Sequence, residues 1–146
     1  MKVLAIASSG GHWIQLLRLK TAFKDHDLMF ASTTKGSEVM VKGHQFFHIP
    51  DTNRNNYLSI IKTTITITKI LIKNKPKLII TTGAAPGLLA ILIGKSIGIK
   101  TIWIDSIANV ETISMSGKIA MRFADRVYTQ WPDLATDKII FRGNIL

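Results

Sequence analysis

The chain has 146 residues, no cysteine, and 19 Lys and Arg against 9 Asp and Glu, a formal charge of +10. That length fits one domain of about 150 residues with a sizeable core, and the absence of thiols excludes disulfides and thiolate zinc sites. The positive excess is either a solvated basic surface or the footprint of an anionic partner: nucleic acid, acidic lipid or a phosphate-bearing substrate.

Residues 2–8 read as a first strand, with Val3 to Ala7 as a short apolar run. The turn Ser8-Ser9-Gly10-Gly11 leads into a helix from near His12 to near Lys24, with Ile14, Leu17 and Phe23 on one face and Leu16 and Leu19 beside it. Strand, glycine turn and helix open a doubly wound α/β domain, which places ligands at the carboxyl ends of its strands. Gly10 and Gly11 permit close approach of backbone to ligand, and the start of the helix favours an anion. The plainer alternative is a connecting turn that binds nothing. The apolar start is interrupted by polar residues and has no cleavage motif, and no run of about 20 apolar residues is present. A cytoplasmic protein with peripheral membrane contact is therefore expected.

Residues 27–32 (DLMFAS) form a second strand, 33–43 a polar loop with a short helix around 38–42, and 45–49 a third strand stopped by Pro50. His44 and His48 would stand about 13 Å apart along that strand, and with no third ligand near them no metal site is expected. The polar turn at 51–56 holds Asp51, Arg54 and Asn55. Its arginine suits a phosphate, and Asn55 or Asn56 can cap the next helix.

Residues 57–74 (YLSIIKTTITITKILIKN) favour strand locally. The stretch is too long for a typical strand, and Lys62, Thr66, Lys69 and Lys73 step by four, three and four, which makes a stripe on a helix. Leu58, Ile61, Ile65 and Ile72 fall on another face, widened by Ile60, Ile67, Ile70 and Leu71. Part of this arc is expected to pack on the sheet. Its outer edge, Ile65 with Lys62, Lys69 and Lys73, is expected to rest on an anionic membrane surface.

Residues 77–82 (KLIITT) are a strand of the buried parallel type. Gly83-Ala84-Ala85-Pro86-Gly87 then opens a second strand–turn–helix unit through residues 88–97, with Pro86 at the first helical position and Gly98 closing it. A strand at 100–105, a polar loop at 106–112, a helix capped by Ser114 or Ser116 and running to Ala124, and strands at 126–130 and 138–141 complete the pattern. The alternation predicts an α/β, Rossmann-like domain over 1–146, its mostly parallel sheet covered by helices on both faces.

The turns at 8–12, 81–87 and 105–112 would share one edge of that sheet. Ser9, Gly10, Gly11, Thr82, Gly83, Pro86 and Gly87 are candidate substrate-binding positions there. His12, Asp105 and Glu111 are candidate catalytic groups, and His12 is the natural general base because imidazole ordinarily titrates near neutral pH. The plainer role for His12 or Asp105 is a local bond to the backbone. The first turn has no G-x-G-x-x-G and the second strand no acidic end, which speaks against NAD; a Walker lysine and a G-x-S-x-G are also missing.

SSGGHW at 8–13, D-x-x-R-x-N at 51–56, TTGAAPG at 81–87 and FRGN at 141–144 together resemble the asparagine-linked glycosylation protein fourteen family, which includes bacterial capsule and exopolysaccharide members. The chain is also similar to the amino-terminal half of the lipid II-forming N-acetylglucosaminyltransferase, a two-domain GT-B enzyme. The resemblance implies a split glycosyltransferase acting on a polyprenyl-diphosphate-linked saccharide, metal-independent and without a cofactor. A donor-binding partner would hold the nucleotide sugar, by expectation UDP-linked, while this subunit supplies acceptor binding and membrane contact. His12 would approach the reacting sugars, with Asp105 or Glu111 as alternative bases. Gly10 and Gly11 would lie near the acceptor diphosphate, and Asp51, Arg54 and Asn55 in the acceptor-side loop. Eukaryotic members begin with a membrane anchor that this sequence lacks, so a bacterial-type protein on the inner face of the cell membrane is expected. No donor domain is expected in the chain either. The rival readings are a recruiting subunit without catalytic groups, a solitary nucleotide-binding enzyme, and a basic nucleic-acid-binding module. The last is opposed by lysines that follow an Ile-rich helix with no interleaved aromatics.

Overall fold

Five consecutive buried residues, Val3 to Ala7, require a strand with neighbours on both sides and cover on both faces. The computed structural model, which describes residues 1–52 and 55–145, gives them both. The strands are β1 (Lys2–Ala7), β2 (Asp27–Ser32), β3 (Gln45–His48), β4 (Leu78–Thr81), β5 (Lys100–Ile104), β6 (Arg126–Thr129) and β7 (Ile140–Phe141). They form one sheet of order β3-β2-β1-β4-β5-β6-β7, and every pair in it is parallel. The helices are α1 (Gly11–Arg18), α2 (Tyr57–Asn74), α3 (Ala84–Ser96) and α4 (Met115–Ala120).

Alternation along β1 feeds two cores. Leu4 and Ile6 join Ile67, Leu71, Ile91 and Trp103 beneath α2 and α3, while Val3, Ala5 and Ala7 join Trp13, Leu16 and Phe30 beneath α1. The strand order reverses at β1 and β4. The turns leaving those two strands therefore flank a crevice at a topological switch point.

Several expectations about detail are corrected. The inward side of α1 carries Trp13, Gln15 and Leu16, whereas Ile14 is 43% exposed. Trp13 decides this, because its ring packs edge-on against Phe30 at 5.8 Å and Phe46 at 6.0 Å. The helix stops at Arg18, and a short 3-10 turn, Lys20–Phe23, follows it. Helix α2 spans the expected residues, with the Asn56 side chain accepting from the amides of Leu58 and Ser59. Its orientation is the new information. Ile67, Ile70 and Leu71 point inward, and Leu58, Ile61, Ile65 and Ile72 stay outside. The hydroxyls of Thr63, Thr64, Thr66 and Thr68 each donate to the carbonyl four residues back, at 2.8–2.9 Å. Pro86 is the third residue of α3, not the first, and α4 ends at Ala120 with Ser114 as its cap.

Candidate functional site

At the carboxyl edge of the sheet lies a cleft of about 480 Å³. Ser8, Ser9 and His12 line it from the first turn, Asp51 and Thr52 from the loop before α2, and Ala84, Ala85 and Pro86 from the start of α3. The far wall is Ser106, Ala108 and Asn109 with Ser114, Met115 and Ser116 at the start of α4.

The two turns at the switch point are tied to one another. His12 Nδ1–H donates to the Thr82 carbonyl at 2.8 Å, and the Thr82 hydroxyl donates to the His12 carbonyl at 2.6 Å. A carbonyl only accepts, so this bond assigns the proton of the neutral ring to Nδ1 and leaves the lone pair on Nε2. Gly83 makes room for the ring: a Cβ there, at φ +128°, would stand 2.8 Å from His12 Cε1. Beside it Ala84, a lining residue, takes φ +64°, a strained conformation costing about 1–3 kcal/mol that clusters at functional sites.

Backbone donors gather at the start of α1. The first intrahelical bond of α1 is Ile14 N to Gly10 O at 3.2 Å, so the amides of Gly11, His12 and Trp13 begin the helix without carbonyl partners in it. With the helix dipole they favour an anion. The Ser9 amide is not among them, because it donates to Thr33 Oγ1 at 3.1 Å.

Asp105 has a different role from the expected base. Its side chain is 1% exposed. One oxygen accepts from Trp103 Nε1 at 3.0 Å and Ser114 Oγ at 2.6 Å, the other from Asn109 Nδ2 at 2.9 Å and Ser114 N at 3.0 Å. With four donors engaged and no face on the cleft, it clamps the 105–114 loop instead of meeting a substrate. Glu111 is exposed on the outer side of that loop and does not line the cleft. Thr82 is buried with its hydroxyl committed to His12, and Gly87 is a packing residue whose Cβ would meet Thr81 Oγ1 at 2.1 Å. Neither lines the cleft.

Of the other expected binding positions, Ser9, Asp51 and Pro86 line the cleft, while Gly10, Gly11, Gly83 and Asn55 stand outside its lining. Arg54 lies outside the described residues. The exposed residues of α2 include Lys62, Ile65, Lys69 and Lys73. His44 and His48 bond to the Leu28 and Thr33 carbonyls, and no group of three or more His, Asp or Glu among the described residues is arranged to hold a metal. No helix of the described residues is long and apolar enough to cross a membrane.

Sequence reasoning missed the support behind the far wall. Buried Gln15 donates to Ser106 Oγ at 3.2 Å and accepts from Gln130 Nε2 at 2.8 Å, and Gln130 also donates to the Asp105 carbonyl at 3.0 Å. A glutamine on the inward side of a short helix was the available signal. It also missed Asn109 and Met115 as lining residues. Remote from the cleft, the Lys95 hydrogen bond, helped by the Thr101 amide and hydroxyl, holds the Asp125 carboxyl below the usual aspartate range against the opposing effect of burial.

The UDP-N-acetylglucosamine transferase subunit ALG14 of Rattus norvegicus is 28% identical over 178 residues, covering 99% of this chain and 82% of the relative. The Schizosaccharomyces pombe subunit alg14 of the same description is 50% identical over 50 residues, 34% of this chain and 23% of the relative. Among solved structures, Acinetobacter baumannii MurG has a TM-score of 0.78 at 15% identity, covering 96% of this chain and 45% of that one. The UDP-N-acetylglucosamine 2-epimerase of Rickettsia bellii has a TM-score of 0.74 at 15% identity, covering 99% and 45%. The chain thus spans less than half of those structures, and the likeness shows the fold, a Rossmann-like unit equivalent to one half of a GT-B enzyme. The family model described as oligosaccharide biosynthesis protein Alg14 like matches residues 3–145, and the chain belongs to that family.

Proposed function

We propose that this chain is the acceptor-side subunit of a split glycosyltransferase that adds a sugar from a UDP-linked donor to a polyprenyl-diphosphate-linked saccharide. The donor is held mainly by a partner subunit, and no metal or cofactor takes part. The observation that carries the reading is the switch-point cleft, where His12, its Nε2 lone pair uncommitted, lines the space at the start of α1. The similarity to transferase subunits for UDP-N-acetylglucosamine supports a GlcNAc donor. The relatives named here are eukaryotic, and a capsule or exopolysaccharide setting on the inner face of the cell membrane rests on the sequence resemblance.

In this mechanism His12 Nε2 takes the proton of the acceptor hydroxyl, whose oxygen attacks the anomeric carbon of the donor sugar. The bond from that carbon to the nucleoside diphosphate breaks, and the diphosphate leaves with the electron pair, so configuration inverts. The Nδ1–H···O=C bond to Thr82 fixes the ring, and as Nε2 becomes protonated the same carbonyl still accepts from Nδ1. The start of α1 at His12, with the positive end of its dipole, receives the acceptor diphosphate, with Ser9 and Asp51 at the rim of the cleft. The outer side of α2, apolar Leu58, Ile61 and Ile65 beside Lys62, Lys69 and Lys73, rests on an anionic membrane. The hydroxyl of Thr52 bonds that of Thr63 at 3.2 Å, tying the cleft rim to α2.

Reconstitution tests the reading. The chain, combined with a donor-binding subunit and a polyprenyl-diphosphate saccharide, is expected to transfer sugar when neither subunit does so alone. A partner fully active by itself would replace the catalytic role with a recruiting one.

A further inference from the structure

The polar cleft does not end at its far wall. Thr52, Ala85, Met115 and Ser116 also border a second recess of about 270 Å³ between the start of α2 and the first turns of α3 and α4. Beyond those four residues its wall is hydrocarbon: Ile60, Leu88, Leu89 and Ile119. No charged side chain among the described residues lines it. Its mouth is apolar too, with Met115 67% and Ile119 40% exposed, and the neighbouring outer residues of α2, Leu58 and Ile61, are 67% and 52% exposed. Going from the His12 turn outward, the lining thus changes from amides and hydroxyls to aliphatic carbon within one continuous surface.

We propose that this recess is a subsite for the isoprenoid end of the acceptor, holding the first units of the polyprenyl chain next to the diphosphate while the rest passes over α2 into the bilayer. The inference rests on the acceptor-side reading given above. Continuity with the cleft is what selects the occupant. A ligand that fills both spaces has a polyanionic, hydroxyl-rich end and a hydrocarbon end joined directly, and a polyprenyl diphosphate saccharide is such a molecule. The recess is too small for the whole chain, so it reads the start of the lipid and leaves the remainder to the membrane. Burying part of the chain here anchors the diphosphate against movement along the cleft and lowers the KM for lipid-linked acceptors.

The test uses the reconstituted pair of subunits and two soluble acceptors with the same saccharide diphosphate, one bearing a farnesyl group and one a methyl group. Leu89→Trp fills the recess, and Ile119→Asp places a charge at its half-exposed mouth, where a folding defect is less expected. Each variant should raise the KM for the farnesyl acceptor about tenfold, the equivalent of losing roughly two buried methylene groups. Within about twofold, kcat, the KM for the methyl acceptor and binding to anionic vesicles should stay unchanged, well short of a tenfold effect. Replacing Lys62, Lys69 and Lys73 together by Gln should do the reverse, weakening vesicle binding while sparing the farnesyl KM. A diazirine-bearing farnesyl diphosphate should label peptides spanning 84–96 and 115–120. Equal effects on the two acceptors, or labelling confined to the outer side of α2, would overturn the subsite but leave the acceptor reading intact. A wild-type pair that uses neither acceptor, yet remains folded and assembled, would overturn both.

Discussion

On one wall of the cleft, the turns after β1 and β4 present backbone amides and a single imidazole. On the other, the loop between β5 and α4 is drawn around a carboxylate with four donors. Both walls begin at strand ends, and both carry a side chain able in principle to take a proton. They differ in spare capacity. His12 spends one nitrogen on Thr82 and keeps the other, whereas both Asp105 oxygens are committed to donors from β5 and the loop. Chemistry needs the first arrangement and a rigid wall needs the second.

The sharpest way to break this contrast is His12→Ala in the reconstituted pair, which should lower kcat/KM by about 10²- to 10⁴-fold, the range for loss of a general base. Assembly should persist, and the melting temperature should fall by only about 2–4 °C. Turnover near wild type would remove His12 from the base role. Next comes Asp105→Asn, which sets an amide N–H against donors that need an acceptor. We expect a loss of roughly 2–3 kcal/mol, or about 5–10 °C in melting temperature by calorimetry, with activity surviving at low temperature and an unchanged pH profile. If activity vanished while stability held, the two walls would exchange roles. Gly83→Ala probes the join between the two turns of the first wall, since its Cβ would press on the imidazole. Transfer should drop about tenfold or more through kcat, with a stability cost of about 1–3 kcal/mol, because φ +128° with ψ −166° is a conformation only glycine adopts readily.

The smallest expected effect lies outside the cleft. The lowered Asp125 carboxyl stabilises the fold above the ordinary aspartate range, and that contribution disappears as pH falls through its lowered value. Because Lys95 and Asp125 are 46% and 37% exposed, solvent screening limits the pair to about 0.5 kcal/mol. Asp125→Asn should therefore flatten the acid limb of the stability curve slightly, as urea melts between pH 3 and pH 7 would show.

The elements were readable where local pattern and tertiary demand coincide. The strand read at 27–32 and the helix read at 57–74 have the observed bounds. Faces were harder. Ile occupies nearly every side of α2, so periodicity has no contrast to work with, and packing against α3 in the core shared with β1 selects Ile67, Ile70 and Leu71. In α1, one Trp finding Phe30 and Phe46 outweighed the aliphatic stripe. The shared edge of the three turns follows from parallel topology alone. Which groups there stay open does not, because it depends on partners such as Thr82 for His12 and Gln130 for Gln15, 70 and 115 residues away.

The threonines of α2 bear on how that helix meets its surroundings. A hydroxyl moving from water into an apolar environment without a partner costs several kcal/mol on the cyclohexane scale, about 4–8. In Thr64, Thr66 and Thr68 the proton is already held by a carbonyl one turn back, so docking against lipid headgroups or an apolar partner strips no hydroxyl of its only donor contact. What each of these side chains still offers is largely a methyl group. A residue-by-residue hydropathy sum therefore understates how readily the outer surface of this helix sheds water.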